Sequence, residues 1–190
     1  MTYVLRVLIP ALWILWLGYW VVAARVSGKT RRRESLASRL THYGPLIVGG
    51  LLLGVPGILG PELERQFHGP AQIWLWIASA LIAIGLGFSA WARVCLGSNW
   101  SAEVTVKQKH ELVRSGPYAL VRHPIYTGVL LALIGTAVSV DKWRAFIGLI
   151  LVAAGFLRKI VIEERFMLAE FGEAYERYRA EVPALIPFVV

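Results

Sequence analysis

The residues whose types and spacing could do chemistry lie in two stretches. The first is Ser115-Gly116-Pro117-Tyr118-Ala119-Leu120-Val121-Arg122-His123-Pro124-Ile125-Tyr126-Thr127-Gly128. Its Gly-Pro pair marks a turn, and Pro124 suits the first turn of a helix, where its missing N–H would have had no partner. His123 then stands at the positive end of that helix beside unpaired backbone N–H groups, as an N-cap or as a receptor for an anionic group. Tyr126 offers a ring face and a hydroxyl, and Gly128 allows a helix or ligand to approach closely. The second stretch is Arg158-Lys159-Ile160-Val161-Ile162-Glu163-Glu164-Arg165. Paired carboxylates where an apolar helix ends either meet a cationic ligand group, join an internal ion pair or lie solvated at the interface. His42, His68, His110, His123 and Cys95 show no ligand-like spacing, so no metal site is expected. The lone aspartate, Asp141, falls on the outer side of the membrane layout, which disfavours a Ser-His-Asp hydrolase, and no glycine-rich phosphate loop follows a strand.

The elements that position these residues follow from composition. The chain has 190 residues, 57% hydrophobic and 17% charged, against about 45–50% and about 25% in soluble domains. The excess is gathered into uncharged runs near the length of about 20 residues that a bilayer requires. Five spans are expected: 7–24, 43–61, 69–92, 124–140, and 145 to about 162, the last needing Arg158 and Lys159 to snorkel. Gly50, Gly54 and Gly57 are candidates for close helix packing, within the chain as the default. Beyond the last span, Met167, Phe171, Ala174, Tyr175 and Tyr178 recur at helical spacing, predicting an amphipathic helix that Pro183 and Pro187 end.

Charge placement orients the layout. Of the 20 Lys and Arg residues, only Arg6, Arg65, Lys142 and Arg144 fall on one side of these spans. The rest lie in 25–42, 93–123 and from Arg158 onward, so the positive-inside rule puts the N-terminus outside and the C-terminus in the cytoplasm, the membrane being the inner or plasma membrane if the chain is bacterial. The net charge of +8 is thus orientation signal, and no nucleic-acid partner is expected. Arg31-Arg32-Arg33 is read as a stop-transfer and lipid contact, and the sequon Asn99-Trp100-Ser101 is discounted because it faces the cytoplasm. The segments 96–123 and 163–190 are too long to be simple connections, and both converge at the cytoplasmic mouth of spans three to five.

His110-Glu111-Leu112-Val113, Ser115-Gly116-Pro117-Tyr118, Arg122-His123-Pro124-Ile125-Tyr126, Gly128, Glu163-Glu164 and Phe171-Gly172-Glu173-Ala174-Tyr175, in that order, resemble the isoprenylcysteine carboxyl methyltransferase family over about residues 97–187. The resemblance implies an all-α integral membrane enzyme using S-adenosyl-L-methionine, its cytoplasmic cofactor pocket closed by the C-terminal amphipathic helix. It implies that His110, Glu111, Leu112, Val113, Tyr118, His123, Pro124, Ile125, Tyr126 and Glu163 line the cofactor site. Lys159, or the adjacent Arg158, stands where the eukaryotic enzymes have a substrate-binding arginine. One integrated domain is expected, with residues 1–95 as the first three helices and 96–190 as the methyltransferase region. The acceptor is expected to be a lipophilic, prenyl-type carboxylate reached from the membrane lipid. A catalytic side chain is not required, because orientation and water exclusion suffice for an activated methyl. A phospholipid amine or small thiol as acceptor, an NADPH-dependent sterol-type reductase, and a non-enzymatic scaffold or transporter are the competing readings.

Overall fold

The computed structural model describes residues 2–25, 30–33, 36–69, 71–97, 105–107 and 112–187. Five long helices, α1 (Thr2–Ala23), α2 (Leu36–Gly54), α3 (Gln72–Leu96), α4 (Pro124–Val140) and α5 (Trp143–Phe171), precede a short α6 (Glu173–Glu181). α3 and α5 are long and apolar enough to cross a membrane, while Val7–Ala23 and Pro124–Val140 are shorter apolar helices. Ile14, Leu15, Val21, Ile47, Ile84 and Ile150 are exposed around the outside, an apolar surface that lipid rather than water would cover.

The architecture is all-α, as expected, with one short ribbon added, in which β1 (Thr30–Arg33) pairs antiparallel with β2 (Thr105–Lys107), and two helix boundaries are corrected. These two strands lie in the segments that leave α1 and α3, whose ends are held together by Arg93: its guanidinium donates to Ala23 O and to Gly97 O. The second apolar helix starts at Leu36 and ends at Gly54, earlier than its uncharged run, because Pro56 and the left-handed Gly57 (φ 78°) turn the chain. The fifth helix continues well beyond Ile162 to Phe171, and the predicted amphipathic helix is split by Gly172 (φ 52°) into the last turns of α5 and the separate α6.

Small residues set the two closest packings. α3 lies along α4, where a side chain on Gly128 would come within 2.7 Å of Ser89 N and would strike Gly85 O, and one on Gly135 would lie 2.7 Å from Ala78 O. α2 lies along α5, where a side chain on Gly49 would meet Gly148 O at 2.5 Å. The close approach at Gly128 is thus to a helix, and the α2 contact is made by Gly49, since Gly50, Gly54 and Gly57 have nothing within 4 Å of an added side chain. Indole donors attach α1: Trp16 Nε1 donates to Ser89 Oγ at 2.7 Å and Trp13 Nε1 to Thr136 Oγ1 at 3.0 Å.

The far end of the α4–α5 hairpin is polar and closed. Asp141, left-handed at φ 51°, accepts the Phe67 and His68 amides on Oδ1 at 2.9 and 2.8 Å. Arg144 is buried, pairs with Glu64 at 2.7 Å and caps Leu52 O and Leu53 O at the end of α2. This arginine is therefore an internal clamp between the α2–α3 connection and α5, which fixes the hairpin whose other end carries the site.

Candidate functional site

α4 and α5 bring the two chemically interesting stretches together. His123 is the residue before α4, and Glu163 and Glu164 are consecutive on α5, so one imidazole sits between two carboxylates: Nδ1 is 3.5 Å from Glu163 Oε2 and Nε2 is 3.3 Å from Glu164 Oε1. Burial works against a charged ring there, but the hydrogen bonds and charges of Glu163 and Glu164 outweigh it and hold His123 above the ordinary histidine value. Tyr126 donates its hydroxyl to Glu163 Oε1 at 2.5 Å. Its ring stacks on His123 on one side and Phe156 on the other, with centroids 5.8 and 4.8 Å apart. Lys159, one turn before Glu163, is buried with its ammonium 5.6 Å from the Tyr126 ring centroid, within cation–π range.

Arg122 supports the second carboxylate. Its Nε and Nη2 donate to Glu164 Oε1 at 2.9 and 2.7 Å, and its Nη1 donates to Arg179 O at 3.1 Å and to Val182 O. The tail after α6 runs past the start of α4 as a strap. Arg122 N donates to Pro183 O at 2.8 Å, His123 N to Ala184 O at 3.0 Å and Thr127 Oγ1 to Leu185 O at 2.7 Å. Behind it, Tyr178 Oη donates to Tyr118 O at 2.6 Å, and Arg114 pairs with Glu181. Burial raises the phenols of Tyr118 and Tyr178, the latter to about 12, so both stay protonated donors at neutral pH.

Among the predicted site residues, Tyr118, His123, Tyr126, Lys159 and Glu163 are brought to this region, with Pro124 buried and Ile125 half-buried at the helix start. Leu112 and Val113 are half-buried in the extended approach to the 3-10 turn Gly116–Ala119, whereas His110 and Glu111, like the sequon at Asn99, lie outside the described residues. Arg158 points elsewhere: it is exposed and bonded to Thr41 Oγ1 of α2 at 3.3 Å. The amides of Arg122 and His123, just before α4, donate to the strap, and both His123 ring nitrogens face carboxylates. The ring therefore positions Glu163 rather than receiving an anion, and Lys159 is the neighbouring cation of the cluster. His123 and Tyr126 use two of the roughly four lone-pair sites of the Glu163 carboxylate. Sequence reasoning missed the Arg122–Glu164 pair and the strap. The one available signal was Pro183 and Pro187, which mark an extended tail able to lend its carbonyls.

The model of the isoprenylcysteine carboxyl methyltransferase (ICMT) family matches residues 76–170, half of the chain. The chain belongs to the isoprenylcysteine carboxyl methyltransferase family. The match spans α3, α4 and α5 and so includes His123, Tyr126, Lys159 and Glu163. Among proteins of this family, the chain is 33% identical over 115 residues to the protein-S-isoprenylcysteine O-methyltransferase of Schizosaccharomyces pombe, covering 59% of the chain and 49% of that protein. It is 30% identical over 129 residues to enzyme B of Arabidopsis thaliana, covering 65% of each, and 33% identical over 136 residues to the Homo sapiens enzyme, covering 70% of the chain and 46% of that protein. The chain thus spans from about half to two thirds of the length of these relatives. The solved eukaryotic intramembrane Ras methyltransferase ICMT shares its fold at a TM-score of 0.53 and 23% identity, over 83% of this chain and 55% of that one.

Proposed function

We propose that this chain is a membrane methyltransferase that uses S-adenosyl-L-methionine and methylates the carboxylate of a lipophilic, prenyl-type acceptor. The observation that carries the reading is Glu163, held from two sides by His123 and Tyr126 within the stretch that matches the family. The cofactor, when bound, supplies a methyl group already activated on a sulfonium. Its charges fit the residues present: Glu163 suits the ammonium or the sulfonium side, and Lys159 suits a carboxylate. His123 and Tyr126 fix the rotamer of Glu163, so little ordering is left for the moment of binding. α6 and the strap 182–186 close the cluster against water, and the apolar walls of α3 to α5 admit the acceptor from the lipid. A carboxylate acceptor is its own nucleophile, which leaves positioning and dryness as the protein's contribution.

The five-span arrangement, with the N-terminus outside and the His123 end in the cytoplasm, belongs to the same proposal and is supported by the skewed Lys and Arg count. So does the division into a framework, 1–95, and a methyltransferase region, 96–190, acting as one domain. Calorimetry of the detergent-purified protein tests the cofactor class. Saturable heat is expected with S-adenosylhomocysteine and none with NADPH. Removing charged hydrogen bonds worth about 1.5–3 kcal/mol predicts that Glu163→Gln weakens binding on the order of tenfold to a hundredfold. Unchanged affinity in that variant, with the protein folded, overturns the site assignment. Membranes given methyl-labelled donor should release the label as methanol in base, as an ester does; base-stable label would mean an amine or thiol acceptor instead.

A further inference from the structure

Beside Arg122 and the strap lies a cavity of about 400 Å³ lined by Arg122, Leu157, Arg179, Pro183, Ala184, Leu185 and Ile186. Its size falls within the roughly 300–1,000 Å³ of small-molecule sites. Neither Glu163, His123, Tyr126 nor Lys159 borders it. Two of the lining residues are arginines, Arg122 and Arg179, and the remaining wall is apolar, with Leu157 54% and Ile186 62% exposed.

The cavity opens onto a stripe. Leu157 belongs to α5, a helix long and apolar enough to cross a membrane, and Ile150, Ala154 and Leu157 recur at three- and four-residue spacing on one face, all exposed. That face leads from the cavity back along α5 toward the Asp141 end. A ligand that satisfies both parts is an amphiphile, with a negative head at the arginines and a chain along Leu157, Ala154 and Ile150. The arginines are unequal. Arg122 already serves Glu164 and the strap carbonyls, which leaves its charge but few of its donors, whereas Arg179 is exposed and carries no acidic partner among the described residues. Glu164 and Glu181 pair with Arg122 and Arg114, and Glu173 and Glu176, the other acidic residues of α6, do not line the cavity. Both charged residues of the lining are therefore cationic, and basic groups at a membrane surface attract anionic lipid at about 1 kcal/mol each.

We propose that this cavity is a binding site for an anionic glycerophospholipid, whose phosphate meets Arg179 under the field of Arg122 and whose acyl chain lies along the exposed face of α5. The site is separate from methyl transfer and does not depend on that reading. Occupancy would bear on the strap, because Pro183, Ala184 and Leu185 line the cavity while their carbonyls hold Arg122, His123 and Thr127.

Native mass spectrometry of the detergent-purified protein, incubated with equal amounts of dioleoyl phosphatidylglycerol and dioleoyl phosphatidylcholine, tests it. Phosphatidylglycerol adducts are expected to exceed phosphatidylcholine adducts severalfold, and Arg179→Gln, a surface change that leaves the fold intact, should bring the two to parity. Excess inorganic phosphate should not displace the lipid, since the chain contributes to its binding. Glu163→Gln should keep the lipid preference, which separates this site from the cofactor cluster. Equal retention of the two lipids by the unsubstituted protein, a preference that survives Arg179→Gln, or displacement by phosphate alone each overturns the proposal.

Discussion

At the level of single residues, the cluster is a chain of dependencies that starts from charge. His123 titrates above its ordinary value because two carboxylates flank it. The stabilisation from that imidazolium is fully present below the unfolded value of about 6.5 and fades as pH rises through the elevated folded value. Thermal unfolding followed from pH 6 to 9 should show the unsubstituted protein losing stability over this range and His123→Asn losing much less. Arg122 serves Glu164, α6 and the strap at once from a side chain only 9% exposed, so Arg122→Gln leaves the half-buried Glu164 carboxylate with His123 alone. A loss of about 3–5 kcal/mol is expected in denaturant unfolding, with Arg122→Lys intermediate because it keeps the charge and loses the two-pronged geometry. The sequence made His123, Tyr126 and Glu163 legible, since each sits in a short motif whose local geometry is nearly forced by Pro124 and by the helix period. It did not reveal what Arg122 or Glu164 do, because their partners lie 42 residues apart and in an extended tail without periodicity.

Helices and their ends present a different balance. Glycine positions look alike in sequence, yet their environments differ completely, as adjacent Gly49 and Gly50 show: one faces the backbone of α5 and the other faces nothing. Gly128→Ala should cost about 1–3 kcal/mol by forcing α3 and α4 apart, because the new methyl lies 2.7 Å from the Ser89 amide nitrogen. Gly50→Ala should be neutral or stabilise by up to about 1 kcal/mol through helix propensity alone. Melting temperatures of the pair, taken in one detergent, check both. Helix existence was readable from uncharged runs, but two ends were misjudged for one reason. Charge marks where a helix meets water, whereas backbone geometry at Gly57 and Gly172 marks where it stops.

For the whole molecule, α3 with α4 and α2 with α5 form two tightly packed pairs. They are joined at one end by the Arg144 and Asp141 clamps and at the other by the His123 cluster. The proposed orientation puts these ends on opposite sides of the membrane. With Cys95 replaced by Ser, a cysteine introduced at Arg177 in sealed inverted vesicles should react with a membrane-impermeant maleimide, and one introduced at Arg65 should not. The reverse pattern would invert the topology.

The strap has a consequence in time. Its carbonyls meet Arg122, His123 and Thr127 across about 60 residues of chain, so at roughly 5–20 residues per second α4 waits on the order of 3–12 s for them during synthesis. Through that interval the Arg122 and His123 amides lack their strap carbonyls, and Arg122 lacks the backbone acceptors that aim it at Glu164. A chain halted before Pro183 would be inserted and packed along its glycine seams, yet its site would still be unset.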